Sequence, residues 1–436
     1  SGRAGQLVSG RGGRQSPPCG PGMQRRAAVI ADLAIALLLL WLAANGLIVL
    51  AYRRTLGAIW REPVLRRPVL VLESDDWGVG PPAQAAALHD IAEVLGRHRD
   101  AAARAPVMSI ALVLALPDGQ AIRRTGQYRR LLLDDRRFAD VLGALRAGIA
   151  QGVFAPQLHG LEHFWPDTLM TSSDPDVKAW LRQDQPAATE QLPAHLQSRW
   201  VDASMLPSRP LHPAAIAAAV AEEAGVYRRI LGVPPKVVVP PTFVWTKEVE
   251  RAWAASGVEC VVTPGWRYTR REAQGLPGGD EGPIVNADRS GAIGYLARCD
   301  YFEPARGRDA AYALAALERA VAQGRPCVLE NHRDNFINDA AVRQRSLDEL
   351  DRLLRYASAR HPDLRFMSSL ELHRLLRDRS ADWLVASRWR RLPALWQRFR
   401  RAGRPCRLAW LTGAALLGAA VARLAKAGGQ APAFAG

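Results

Sequence analysis

Two adjacent carboxylates, Asp75 and Asp76, stand at the end of the apolar run Pro68-Val-Leu-Val-Leu-Glu-Ser74 and are followed by Trp77-Gly78. Val69 to Leu72 reads as a buried strand of a parallel sheet, a short continuous apolar run closed by turn residues. Two carboxylates where a buried strand ends are costly unless a cation lies between them. Taken alone, the pair equally suits a solvated Asp-rich turn. Two further segments change that balance. His159-Gly-Leu-Glu-His163 and Glu330-Asn-His332-Arg333 each follow another strand-like run. Together these residues supply the carboxylates and imidazoles of a metal-dependent hydrolase.

His159 and His163 are four residues apart, so a helical turn would bring both imidazoles to one ion. Two histidines and one carboxylate leave a coordination position for water, and a bound divalent cation lowers the pKa of that water and polarises a carbonyl. The second carboxylate is then the candidate general base, and His332 the candidate acid for the leaving group. The same residues also match the H-x-x-E-H pattern of inverted zinc peptidases, with Glu162 as base. That pattern needs a continuous helix, whereas Pro156, Gly160 and Pro166 leave room for about one turn.

The elements that must carry these residues are legible from 68 to 379. Short apolar runs at 69–73, 107–113, 153–158, 236–239, 259–263, 294–298, 326–330 and 364–367 predict strands. Helical patterns lie between several of them, at 83–98, 134–151, 213–231, 309–323 and 340–359. Seven or eight such units predict an α/β fold whose parallel sheet closes into a barrel, with the site at the C-terminal strand ends. From His163 to the helix near 213, about fifty residues carry Trp165, Trp180 and Trp200, several prolines and little periodicity. So long a connection predicts a lid or binding rim, whose tryptophans either stack on sugar rings or pack in the interior.

The motifs resemble those of the polysaccharide deacetylase superfamily, carbohydrate esterases on a distorted (β/α)7 barrel. Ser74-Asp75-Asp76-Trp77-Gly78 is similar to the first motif, in which the first Asp is the base and the second binds metal. His159-Gly-Leu-Glu-His163 is similar to the second, whose histidines complete the metal triad. Val239-Pro-Pro-Thr242-Phe-Val-Trp245 resembles the third in its prolines and aromatic residue. It lacks the arginine often found there, which leaves the partner of the base unassigned. Leu329-Glu-Asn-His332-Arg-Asp-Asn335-Phe stands where the family places its catalytic acid. Arg298-Cys-Asp-Tyr-Phe-Glu303-Pro is placed along the groove, and Phe366-Met-Ser-Ser-Leu-Glu-Leu resembles the closing strand and helix. The resemblance covers roughly 68–377. It implies a divalent metal, zinc by ligand type, held by Asp76, His159 and His163. Asp75 would be the base, His332 the acid, and a backbone N–H near Thr242 an oxyanion donor. Thr242, Trp245, Arg298, Arg333 and Asn335 are the expected substrate contacts, with Arg333 placed to hold a hydroxyl or phosphate or to pair with Asp334.

The chain's net charge of +16 sits at its ends. Residues 1–67 carry +8 and residues 380–436 carry +9, which leaves −1 for 68–379. That distribution fits membrane association rather than a nucleic-acid groove. Leu33 to Tyr52 is an uncharged run of twenty residues, long enough for a bilayer core. Its length and the following Arg53-Arg54 favour a retained transmembrane segment over a cleaved signal peptide. Residues 1–22 resemble no folded segment, and Met23 is a candidate start. The fifteen uncharged residues 408–422 are short for a span and suit an interfacial or re-entrant segment. Before them, Trp389, Leu392, Trp396 and Phe399 recur at helical spacing among arginines, interrupted by Pro393, as in a helix lying in the headgroup layer or an ordinary amphipathic helix packed on the domain. The five cysteines show no C-x-x-C pairing and read as free thiols or small core residues.

These readings predict membrane-associated N- and C-terminal extensions (1–67 and 380–436) around a catalytic barrel at 68–379. The location is a bacterial inner membrane with one or two spans, and the Arg density leans towards a cytoplasmic domain. Expected partners are a carbohydrate or lipid-linked glycan and membrane lipids, with no nucleic acid. The leading function is deacetylation of an N-acetylated sugar. The alternatives are a glycoside hydrolase pairing Asp75 with Glu303 or Glu330, and a non-catalytic glycan-binding membrane protein.

Overall fold

The computed structural model describes residues 21–184 and 188–429. The Gly-, Ser- and Arg-rich tail before residue 21, with Cys19, lies outside the described residues. The chain divides into two compact units. One comprises the described part of 1–53 with 403–417; the other comprises 54–402 with the described residues from 418.

In the first unit, the helix Pro21–Ala51 contains Ala28–Ala51, which is long and apolar enough to cross a membrane, with mean hydropathy 2.6. Asn45, the one polar residue of the predicted span, accepts a hydrogen bond from the Thr412 hydroxyl at 2.9 Å. The indole N–H of Trp41 donates to the Thr412 carbonyl at 2.7 Å. The second uncharged run does not form one helix. It breaks at Thr412-Gly413 between the helices Arg404–Leu411 and Ala414–Gly429, and reaches the length of a span only as a bent pair.

The second unit is built on a parallel sheet. Its strands are β1 (Val69–Gly78), β2 (Met108–Val113), β3 (Phe154–Leu158), β4 (Val237–Val238), β5 (Cys260–Thr263), β6 (Ile293–Ala297), β7 (Asp300–Tyr301), β8 (Cys327–His332) and β9 (Arg365–Phe366). All eight predicted apolar runs are strands here, and β7 is the addition. Helices Gln84–Gly96, Ala139–Ala150, Pro213–Leu231 and Lys247–Ala255 connect β1 through β5. Ala310–Ala322 leads into β8, and Ala340–Arg360 leads from it to β9. The sheet runs β6-β5-β4-β3-β2-β1-β8-β7, with β9 on the start of β1 and Arg289–Ser290 antiparallel to β6.

The two ends of this order are consecutive in the chain. The N–H of Arg298 still donates to Thr263 of β5, the next N–H, of Cys299, donates to Val328 of β8, and that of Phe302 to Glu330. One segment, 293–302, thus leaves one edge of the curled sheet and joins the other. It does so because β6 is only five residues long and no crossover helix separates it from β7. The interior is polar beneath this seam: Glu73, Gln157, Ser109 and Ser369 form one hydrogen-bonded cluster.

The compact unit extends past 68–379 at both ends. Leu65 is buried and bridges Leu384, and buried Glu62 accepts hydrogen bonds from Asn286 and Arg325. The basic helix Arg388–Arg400, predicted to lie on lipid, buries Leu395 and Arg398. Arg398 donates to the carbonyls of Glu62, Pro63, Gln323 and Gly324 at 2.7–3.2 Å. Its exposed Trp389 and neighbouring arginines remain on the surface. A fragment of residues 54–402 is therefore expected to unfold cooperatively by thermal denaturation. A fragment of 68–379, which strands Asn286 and Arg325, should melt at least about 5 °C lower; equal melting would show the flanks to be dispensable.

Candidate active site

Asp75 and Asp76 lie within β1, where the pairing with β2 shifts register between Ser74 and Trp77. Asp76 takes a left-handed backbone (φ 71°). A regular strand sends successive side chains to opposite faces. The bulge lets both carboxylates line the same cavity, of about 240 Å³. Gly78 completes the irregularity at φ 112°, where a Cβ would lie 2.3 Å from the Val113 carbonyl oxygen. Trp77 fixes the strand by donating its indole N–H to Ser74 Oγ, which itself donates to Asn331 of β8.

His159 directly follows β3, and His163 is reached through a bend rather than a helical turn. This corrects the expectation of a helix. Gly160 (φ 102°) makes the bend, and a Cβ there would meet the Glu162 carbonyl oxygen at 2.7 Å. Glu162 turns away from the cavity into a buried ion-pair cluster with Arg199 at 2.5 Å and Arg130 at 2.8 Å. It is no base, and the inverted-peptidase parse falls with it.

Asp76 Oδ1 lies 3.3 Å from His159 Nε2 and 3.5 Å from His163 Nε2, and the two Nε2 atoms are 3.1 Å apart. His159 donates its Nδ1–H to the Val239 carbonyl at 2.7 Å, which in the neutral ring leaves a lone pair on Nε2. Asp76 Oδ1 and His163 Nδ1 are buried and make no hydrogen bond. His163 can therefore carry its proton on Nδ1 and turn a second lone pair inward. Burial, and then the facing His159 ring, push the His163 imidazole down to about 4. These three buried ligand atoms converge, and Asp76 Oδ1 has no hydrogen-bond donor, an arrangement that fits a divalent cation.

Asp75 is held differently. Arg298, just past β6, donates from both terminal nitrogens to the two Asp75 oxygens, each at 2.7 Å. Its Nε–H donates to Glu73 at 2.7 Å, Glu330 lies 3.3 Å away, and the Phe243 ring covers it at 5.5 Å. Burial opposes ionisation of Asp75, but the guanidinium outweighs it and holds the carboxyl below the usual range. Glu330 shares the same guanidinium less closely. Burial and the charge of Asp75 leave its carboxyl above the usual range. His332, at the end of β8, donates from Nδ1 to Glu303 at 2.5 Å. Burial lowers its pKa, yet Glu303 and the surrounding aspartates outweigh that and raise it to about 10.

The five expected substrate contacts divide. Thr242, strained at φ 52°, lines the cavity and bonds Ser198 Oγ at 2.8 Å. Trp245 is fully buried with its indole N–H on Glu250, so its role is packing. Arg298 is buried on Asp75 and Glu73, with Asp75 the residue expected as base. Arg333 is buried on the Val79 carbonyl and Glu190. Asn335 is buried on Glu303 and the His332 carbonyl. Trp180 and Trp200 of the long loop pack inward on Phe164 and Trp253. That loop instead brings Glu190 and Gln197 to the cavity. No sequence signal marks these two, because they sit in an aperiodic stretch.

No protein-family model and no curated protein matches the sequence. Solved structures similar to the chain include two family 4 carbohydrate esterases. One is the acetyl xylan esterase of Clostridium thermocellum in complex with a cobalt ion, at 12% identity and TM-score 0.35 over 70% of this chain and 91% of that one. The other is from Streptomyces lividans, in complex with acetate, at 12% identity and TM-score 0.32 over 73% and 97%. A 4-α-glucanotransferase from Thermococcus litoralis is also similar, at 12% identity and TM-score 0.38, with 70% of this chain spanning 40% of that protein.

Elemental analysis of the purified full chain is expected to find about one divalent ion per chain. His159→Ala/His163→Ala should lose it and Asp75→Asn should keep it. Loss in Asp75→Asn alone would reassign the ligands.

Proposed function

We propose that this chain is a metal-dependent deacetylase of the polysaccharide deacetylase superfamily, on a distorted (β/α)7 barrel, that removes an N-acetyl group from a sugar. The supporting observation is the juxtaposition of two separately wired aspartates: Asp76, whose orphan Oδ1 converges with the Nε2 atoms of His159 and His163, and Asp75, clamped by Arg298. Asp76, His159 and His163 would hold a divalent cation, with zinc the best match to these ligands, which when bound would supply Lewis acidity.

The chain's own residues do the rest. Asp75 stays ionised at neutral pH and accepts the proton of the attacking water, its orientation fixed by two hydrogen bonds. The backbone N–H of Thr242, on the left-handed turn over the cavity, is the candidate donor to the developing oxyanion. His332, protonated beside Glu303, delivers its proton to the departing amine nitrogen. The Pro21–Ala51 helix is read as a retained anchor that brings this site to a membrane-associated glycan or lipid-linked glycan precursor.

A glycosidase would need a second carboxylate facing Asp75 across a cleft. Glu303 is consumed by His332 and Asn335, and Glu330 shares Arg298 with Asp75 on the same side. A non-catalytic glycan binder would tolerate loss of Asp75, and that separates it by experiment. With metal-loaded full-length protein and acetylated amino-sugar oligomers, release of acetate is expected. Asp75→Asn should lower it about 10²-fold or more while metal is retained. Acetate release unchanged by this substitution would remove the proposed base.

The acid's tuning gives a pH signature. His332 acts in its protonated form, so turnover falls as pH rises through its pKa. Glu303→Gln removes a raising influence, so the alkaline limb of the rate profile should move to lower pH by about one unit or more. An unmoved limb would show that His332 is not the acid.

A further inference from the structure

We propose that Cys299 and Cys327 are a redox pair that forms a reversible disulfide across the seam closing the sheet, by exchange with a low-molecular-weight disulfide. The two thiols belong to the segments that meet there. Cys299 follows Arg298 and donates its N–H to the Val328 carbonyl at 2.9 Å, and Cys327 begins β8. Their Sγ atoms are 3.7 Å apart across 28 residues of sequence. A disulfide needs about 2.05 Å, so side-chain rotation closes most of the gap between strands that are already hydrogen-bonded.

The two sulfurs are unequal, as an exchange pair requires. Cys299 is exposed, at a cavity of about 410 Å³ lined by Arg319, Arg325 and Arg401 against Asp300 and Glu62. Arg319 pairs with Asp300 and Arg325 with Glu62, which leaves Arg401 as the further cation to draw in an anionic reagent such as glutathione disulfide. Cys327 is fully buried, and burial keeps its thiol protonated and out of reach of external reagents. The Cys299 thiolate attacks one sulfur of RS–SR; a protein–SR bond forms, the RS–SR bond breaks, and RS⁻ leaves with the proton Cys299 gave up. Cys327 then attacks Cys299 Sγ, expelling the second RS⁻, which takes the Cys327 proton. Two protein thiols are oxidised, one RS–SR is reduced, and two RSH result. The bond staples the segment that carries Arg298, and with it the partner of Asp75.

The test is to equilibrate full-length protein in detergent with excess glutathione disulfide, alkylate it under denaturing conditions, and map peptides without reduction. The expected result is a peptide linking 299 to 327, lighter by two hydrogens, reversed by dithiothreitol. It should come with a rise in Tm of about 5 °C or more. Cys299→Ser, a surface change that spares the buried thiol, should abolish both. A stable glutathione adduct on Cys299 with Cys327 still alkylatable would overturn the proposal, as would two thiols left free or a link to another cysteine.

Discussion

The Arg298 guanidinium, buried at the seam of the sheet, is what three carboxylates around it depend on: Glu73, Asp75 and Glu330. Each of those acids would be costly in the interior without a cation. Arg298 can serve all three because its fork offers Nε and both terminal nitrogens in one plane, and Phe243 closes the open face. Removing one partner of such a buried cluster typically costs about 3–5 kcal/mol. The seam is thus both where the sheet closes and where its charge is balanced.

Two adjacent residues of β1 consequently live in different electrostatic settings. Asp75 faces a fixed organic cation that donates to both of its oxygens. Asp76 faces two imidazoles and keeps an orphan oxygen. The bulge and the left-handed Asp76 make this division possible, since a regular strand would have sent one carboxylate to the far face. His332 completes the set, with Glu303 and Asn335 tying it to the segment after β7.

Much of this was legible in the sequence because the signals are local. The eight apolar runs and five helical patterns each carry their own periodicity, and Asp75, Asp76, His159, His163 and His332 all fall at predicted strand ends. The bond between Asp75 and Arg298 joins residues 223 apart, and only the short β6 and the absence of a helix after it bring them together. The composition of Arg298-Cys-Asp-Tyr-Phe-Glu303 names no partner. The histidine spacing implied a helix, but Gly160 makes a bend that serves the same end. The tryptophans of the long loop left sugar stacking and interior packing both open, and Trp180 packs in a cluster with Phe164 while Trp200 packs in the main core. The basic helix at 388–400 suited the headgroup layer because Trp and Arg fall on opposite faces, and packing on the domain stayed open beside it. Arg398 nonetheless spends its charge on buried carbonyls, a contact with no sequence signature.

The account stands or falls on Arg298 as the residue that orients the base. The most direct measurement is turnover of Arg298→Lys alongside its metal content, because lysine keeps the charge and loses the two-pronged geometry. Metal retained near the wild-type level with turnover lowered about 10²-fold is the predicted result. Wild-type turnover in this variant would contradict the account, since a point charge would then suffice and the fixed orientation of Asp75 would have no part in the chemistry.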